Sequence, residues 1–204
     1  IDEVMPLDKL KSKQVDKKII AIAASTGGPV VLKQIVSALD DENTPPIVIV
    51  QHIGVGFSEA LAESMNKLSV LQVVHAQDGQ LLKSGHVYIA PAGMHMGVVN
   101  DKGHFKTKFY DYPKVNRHKP SADVLFRTVN AVAGKKALAV VLTGMGNDGA
   151  FTLKEICQAG GQTYVQQQES CTVYGMPRMA LELESKHKAV HVPEMIKKIK
   201  EYTS

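Results

Sequence analysis

Hydrophobic and polar positions fall into alternating blocks along this chain. KIIAIAA (18–24), PPIVIVQ (45–51), VLQVVHA (70–76), GHVYIA (85–90) and KALAVVLTG (136–144) are apolar or nearly apolar runs of strand length. Between them the apolar positions recur every three to four residues, as on one face of a helix. Val31, Ile35 and Leu39 follow Ser-Thr-Gly-Gly-Pro in this way, and Phe57, Leu61 and Met65 lie within FSEALAESMNKL (57–68). Pro120-Ser121 opens a third helix through Val124, Leu125, Val129 and Val132, closed by Gly134. ALELE lies in a late helix after Pro177, KAVHV (188–192) reads as a short strand, and Pro193 starts a terminal helix, PEMIKKIKEY. MHMGVV and HFKTKFY flank Asn100-Asp101-Lys102-Gly103, a turn-rich link that predicts a hairpin.

Short apolar strands separated by amphipathic helices predict an α/β fold: a mainly parallel sheet with helices on both faces, here with an antiparallel hairpin added. Residues 1–17 mix charge with scattered apolar positions and read as a linker remnant, leaving 18–204 as the folded domain. The basic stretch 102–119 reads as a long surface loop. No repeat or low-complexity segment interrupts the pattern.

Length and composition narrow the class. The 204 residues fit one domain able to bury a substantial core. A net charge of +4 with 5% aromatic residues permits an acidic partner but lacks the concentrated basic and stacking face expected of a nucleic-acid binder. Two cysteines, Cys157 and Cys171, make neither a disulfide framework nor a metal cluster and favour a reducing, cytoplasmic setting. No apolar run approaches the roughly 18 residues that cross a bilayer, so no membrane insertion is expected. The chain starts at Ile1, so it reads as a piece of something longer.

In open parallel sheets the functional groups gather beyond the carboxyl ends of the strands. Three polar clusters sit there. In AIAASTGGP (21–29), Ser25 follows a buried strand and precedes a glycine turn into a helix. Its hydroxyl could act as a nucleophile near the positive helix end. It could equally cap that helix, or the turn could cradle a phosphate. Thr26 is a second hydroxyl in the same turn. In IVIVQHIGVGF (47–57), His52 could accept the serine proton, though any one of eight histidines could be structural. In VVLTGMGNDGA (140–150), Asp148 could orient the imidazole, or serve as a cap or turn residue. The glycines there leave the Met145 and Gly146 amides as candidate oxyanion donors. His187 and His191 are four apart, but on a strand that spacing does not aim both at one metal, and no metal site is expected. Most of Met94, Met96, Met145 and Met176 read as core, with Met176, between Gly175 and Pro177, the best candidate for a substrate cleft. Lys106, Lys108, Lys114, Arg117 and Lys119 could attract acidic helices or simply be solvated.

AIAASTGGP, IVQHIGVGFSEALAESMN and LTGMGNDGA, in this order, resemble the catalytic domain of chemotaxis protein-glutamate methylesterases. AQDGQLLKSGHVYIAPAGMHM (76–96), VNRHKPSADVLF (115–126) and ESCTVYGMPRMA (169–180) add to the resemblance, which spans roughly 18–200. It implies a doubly wound sheet and hydrolysis of γ-glutamyl methyl esters on the cytoplasmic helices of methylated bacterial chemoreceptors, with receptor glutamine deamidation in some members. It places the catalytic serine, histidine and aspartate on Ser25, His52 and Asp148, with Thr26 and the Met145 amide beside them and no cofactor. Asn116 and Arg117 fall in a family segment and are candidates for the cleft wall. The resemblance also implies an N-terminal phosphorylatable receiver domain, absent from this chain. Gly54 departs from the family pattern, where proline is frequent. Two other classes remain open: a nucleotide-binding module using STGGP, which lacks the Lys-Ser/Thr ending of a phosphate loop, and a receptor-binding domain with a vestigial triad.

Overall fold

The computed structural model describes residues 1–10 and 12–203. Lys11, in the expected linker, and Ser204 lie outside the described residues. Seven parallel strands form one sheet: β1 (Ile19–Ala24), β2 (Ile47–Gln51), β3 (Gln72–His75), β4 (His86–Ile89), β7 (Ala137–Val141), β8 (Gln162–Gln166) and β9 (Lys188–Val190). Their order is β3-β4-β2-β1-β7-β8-β9. The remaining strands, β5 (His95–Asp101) and β6 (His104–Tyr110), pair antiparallel as a separate hairpin.

Wholly buried strands explain the unbroken apolar runs, because each face meets helices. Ile20, Ile22 and Ala24 of β1 face one way, with Leu138 and Val140 of β7, onto α1 (Gly28–Ser37), α2 (Ser58–Asn66) and α6 (Val192–Glu201). Ile19, Ala21 and Ala23, with Ala137 and Ala139, face the other way onto α3 (Ala122–Ala133), α4 (Ala150–Gln158), α5 (Met176–Leu183) and the hairpin. The alanines on this second face let α3 sit close, and Val124 through Val129 of α3 are all buried. The hairpin packs equally close. A Cβ on Gly97 would lie 2.8 Å from the Thr128 side chain, and the Thr128 hydroxyl accepts from the Val98 amide at 3.0 Å. The doubly wound, mainly parallel architecture with helices on both faces is therefore present. No helix of the described residues is long and apolar enough to cross a membrane.

Three departures from the sequence pattern have physical reasons. QTYVQ (β8) was not among the expected strands, because its polar ends interrupt the apolar run; Gln166 is nevertheless fully buried, bonding the Thr143 amide at 2.8 Å. The strand expected over 188–192 stops at Val190, because His191 already accepts the first bond of α6, from the Met195 amide. The basic stretch is half strand (β6), and the segment after it is tied inward by buried Val115.

The leading segment packs onto the domain. Met5 is buried against Val115 and Val124, and the Val15 amide donates to the Val132 carbonyl at 2.7 Å. Arg127, fully buried in α3, reaches Asp2 at 2.6 Å, the Met5 carbonyl at 3.0 Å and Glu155 at 2.5 Å. Burying a guanidinium demands such partners, since an unpaired buried charge is strongly destabilising.

Candidate active site

Strand order reverses at β1: β2 lies on one side of it and β7 on the other. A crevice opens at such a switch point, beyond the carboxyl ends of the strands. Ser25, His52 and the Thr143–Asp148 loop follow β1, β2 and β7, so all three predicted clusters border it.

The Ser25 turn is built from backbone bonds. The Ser25 amide donates to the Thr143 carbonyl at 3.0 Å, and the Ser25 carbonyl accepts from the Gly28 amide at 2.8 Å. Gln51 clamps this turn to the next, its side-chain amide donating to the Ser25 carbonyl at 2.9 Å and the His52 carbonyl at 3.0 Å. The His52 amide donates to the Ala24 carbonyl. Gly27, with φ of +83°, is the N-cap of α1, and no side chain caps that helix. Ser25 therefore does not cap α1. The space beside Gly27 and Gly28 is filled by Thr172 and Gln51, 2.4 and 2.1 Å from where a Cβ would stand. Neither glycine leaves open space where its side chain would stand.

Gly144, in the loop after β7, presses against this turn. A Cβ there would lie 2.6 Å from the Ser25 Cβ and 2.5 Å from the Met176 sulfur. Met176 is fully buried, so it supports the Ser25 turn from beneath rather than facing an open cleft. Gly144→Ala should therefore destabilise the domain by about 1–3 kcal/mol through overpacking, read as a lowered Tm in thermal unfolding. An unchanged Tm would mean the turn yields freely.

His52 and Asp148 form a buried pair. His52 Nε2 lies 2.6 Å from Asp148 Oδ2, with side-chain exposures of 6% and 1%. The second ring nitrogen, Nδ1, is buried without a partner among the described residues. Asp148 does not cap its own helix: the N-cap of α4 is Gly149, without a side-chain bond. It caps α3 instead. Oδ2 also accepts from the Ala122 amide at 2.7 Å, while Oδ1 accepts from the Ser121 hydroxyl at 2.6 Å, Asn116 Nδ2 at 3.1 Å and the Asp123 amide at 3.3 Å. Burial pushes the Asp148 carboxyl up, but the bond and charge of His52, the Ser121 hydroxyl and the Ala122 amide outweigh it and hold the group below its usual range. The positive end of α3 favours the same ionised form. Burial and then the Asp148 charge push neighbouring Asp123 up.

A ring of supporting side chains fixes this pair. His95, fully buried, lies 2.9 Å from the Pro113 carbonyl through Nε2, and its Nδ1 accepts the Ser121 amide at 3.1 Å. Those two bonds require Nε2 to carry the proton, and burial lowers the basicity of the ring. Asn116 and Arg117 lie in a tight turn closed by reciprocal bonds between Val115 and His118. Asn116 reaches Asp148 and Asp123; Arg117 is exposed at the rim. His118, which the sequence reading passed over, stacks on His52 with centroids 3.5 Å apart and planes parallel. Two left-handed non-glycine residues in succession, Asn116 at 49° and Arg117 at 70°, mark this turn as constrained, a feature the sequence does not print.

Thr26 and Met145 are exposed, as is Gly146, and the amides of all three donate to no acceptor among the described residues. They are free to stabilise an oxyanion. A cavity of about 480 Å³ is lined by Met145, Gly146, Tyr174, Arg178 and Met179, among others. In the His52 loop, the Gly54 carbonyl accepts from the Phe57 amide at 3.1 Å, closing the turn. Cys171 does not compete as a nucleophile, since burial pushes its thiol up to about 11.

Residues 20–199 match the model of the CheB methylesterase family. The chain is 44% identical over 167 residues to a protein-glutamate methylesterase/protein-glutamine glutaminase of Salmonella typhi, covering 82% of this chain and 48% of that protein. It is 42% identical over 183 residues to the protein of the same name from Photorhabdus laumondii, covering 90% and 52%. The chain thus spans about half the length of the curated relatives it matches. Among solved structures, the Thermotoga maritima CheB methylesterase catalytic domain superposes with a TM-score of 0.88 at 34% identity, over 92% of this chain and 99% of that one. The chain belongs to the CheB methylesterase family.

Proposed function

We propose that this domain hydrolyses γ-glutamyl methyl esters on the cytoplasmic helices of chemoreceptors, releasing methanol and restoring glutamate, with Ser25, His52 and Asp148 as its triad. The observation that carries the reading is the buried His52. One nitrogen is held at 2.6 Å by an ionised carboxylate, and the other is buried with no partner on a loop clamped to the Ser25 turn. Buried polar atoms are rarely left unpaired, and a lone imidazole nitrogen is the group a serine hydroxyl requires. The names of the relatives, which join methylesterase and glutaminase, support the same chemistry.

The steps follow from this geometry. His52 Nε2–H donates to Asp148, which leaves Nδ1 to take the Ser25 proton as Oγ attacks the ester carbonyl. The oxyanion forms beside the free amides of Thr26, Met145 and Gly146. Protonated Nδ1 then gives its proton to the departing methoxide, and methanol leaves. Water then attacks the acyl-enzyme, losing a proton to Nδ1; the bond to Ser25 Oγ breaks, Nδ1 returns the proton to Oγ, and glutamate is released. A glutamine amide follows the same path with ammonia as the leaving group. No step draws on a metal or an organic cofactor, and a site of action on receptor cytoplasmic helices places the enzyme in the cytoplasm.

The test uses a methyl-esterified receptor cytoplasmic fragment and its glutamine-bearing counterpart. The protein should release methanol from the first and ammonia from the second, and each fragment should inhibit hydrolysis of the other competitively. No methanol at saturating substrate would overturn the proposal. Methanol release with ammonia release that the ester does not inhibit would remove the shared site.

A further inference from the structure

His52 is fixed at its edge by a single bond to Asp148, about which an imidazole can still pivot. The face of the ring is covered by His118, parallel at 3.5 Å. His118 stands on a backbone held from both sides. Its amide donates to the Val115 carbonyl at 2.9 Å, and its carbonyl accepts from the Val115 amide at 3.1 Å. Val115 is buried with Met5 and Val124. Asn116, in the same turn, donates to the carboxylate that holds His52. The turn therefore registers His118 against both members of the buried pair.

We propose that His118 is a positioning residue for His52: its ring forms a fixed wall that stops the catalytic imidazole from pivoting out of line with Ser25. The proposal rests on the esterase reading above. A neutral ring suits this place. When His52 takes the serine proton it becomes a cation lying on the π face of its neighbour, an attractive arrangement. A charged His118 would repel it. Burial, and after it the charge of His52, hold His118 below the usual histidine range, against a weaker opposing pull from Asp148. What the wall supplies is a flat face rather than a proton, so a phenyl ring should serve in its place.

The experiment compares His118→Ala and His118→Phe with the wild type in methanol release, with Tm measured for each. His118→Ala should lower kcat by about 10²-fold, the scale of a small misplacement of a reacting group, and leave KM nearly unchanged. His118→Phe should restore most of the lost kcat. Full kcat in a folded His118→Ala variant would overturn the proposal. So would a folded His118→Phe variant as slow as the alanine variant, since the ring nitrogens and not the face would then matter. Should the alanine variant fail to fold, His118→Phe still decides, because near-wild-type kcat supports the wall and a large loss refutes it. Absence of methanol release by the wild type would instead refute the underlying esterase reading.

Discussion

Ser25→Ala should stop methanol release and leave the fold standing. The bonds that Ser25 gives to the turn are all made by its backbone: its amide to Thr143, its carbonyl to Gly28 and to Gln51. Alanine keeps all of them, so Tm should stay at the wild-type value. In the proposed mechanism nothing replaces the Ser25 oxygen, so kcat should fall by on the order of 10⁶-fold, as in hydrolases that depend on a triad serine. Methanol release with calorimetry on the same samples separates the two effects. Undiminished turnover would exonerate Ser25 and direct attention to the exposed hydroxyl of Thr26.

Asp148→Asn should be nearly as severe for the rate, and it should also weaken the fold. The carboxylate accepts five bonds from five donors, and an amide can accept at only one of its two ends. With the NH₂ in the place of Oδ2, it meets the Ala122 N–H head on and forces His52 Nε2 to accept. The His52 proton then moves to Nδ1, the nitrogen that should take the serine proton. With the NH₂ in the place of Oδ1, it meets Asn116 and the Asp123 amide, and the charge that supports the imidazolium is gone. Either way kcat should drop by about 10⁴-fold, and a buried donor left facing another should destabilise the domain by about 1–3 kcal/mol. Neutralising Asp148 also removes a charge that pushes Asp123 up. Part of the stability loss is thereby offset, which makes the rate the more decisive reading. An unchanged kcat with a lowered Tm would reduce Asp148 to a helix cap.

The sequence made the central strands and their polar ends legible for one reason. Strands buried on both faces must be apolar throughout, so Ser25, His52 and Asp148 stand out as polar residues just beyond such runs. The hairpin was equally plain, because Asn100–Gly103 punctuates two strand patterns. Other features depend on contacts between segments far apart in the chain. Gln166 is polar and buried, and only its bond to the Thr143 amide explains why a strand lies there. Arg127 is a charged residue buried in α3, and only Glu155 and Asp2 beside it explain its place. Met176 had the local setting of a cleft residue, between glycine and proline, yet it lies beneath Gly144. His118 differs from the other histidines only through its stack on a ring 66 positions earlier, a pairing that no local spacing encodes. The helix caps were misleading in an instructive way. Asp148 does cap a helix, but the one that starts at Ala122, and the same carboxylate also holds the His52 ring, so capping does not exclude the part proposed for it.

Strand order also decides where thermal motion can act without harm. Ser25, His52 and Asp148 hang from β1, β2 and β7, the three middle staves, each bonded on both sides. The outermost staves, β3 and the three-residue β9, are each bonded on one side only and should open first. Their fraying would leave Ser25, His52 and Asp148 in place, so breathing can gather at the flanks while the middle stays closed.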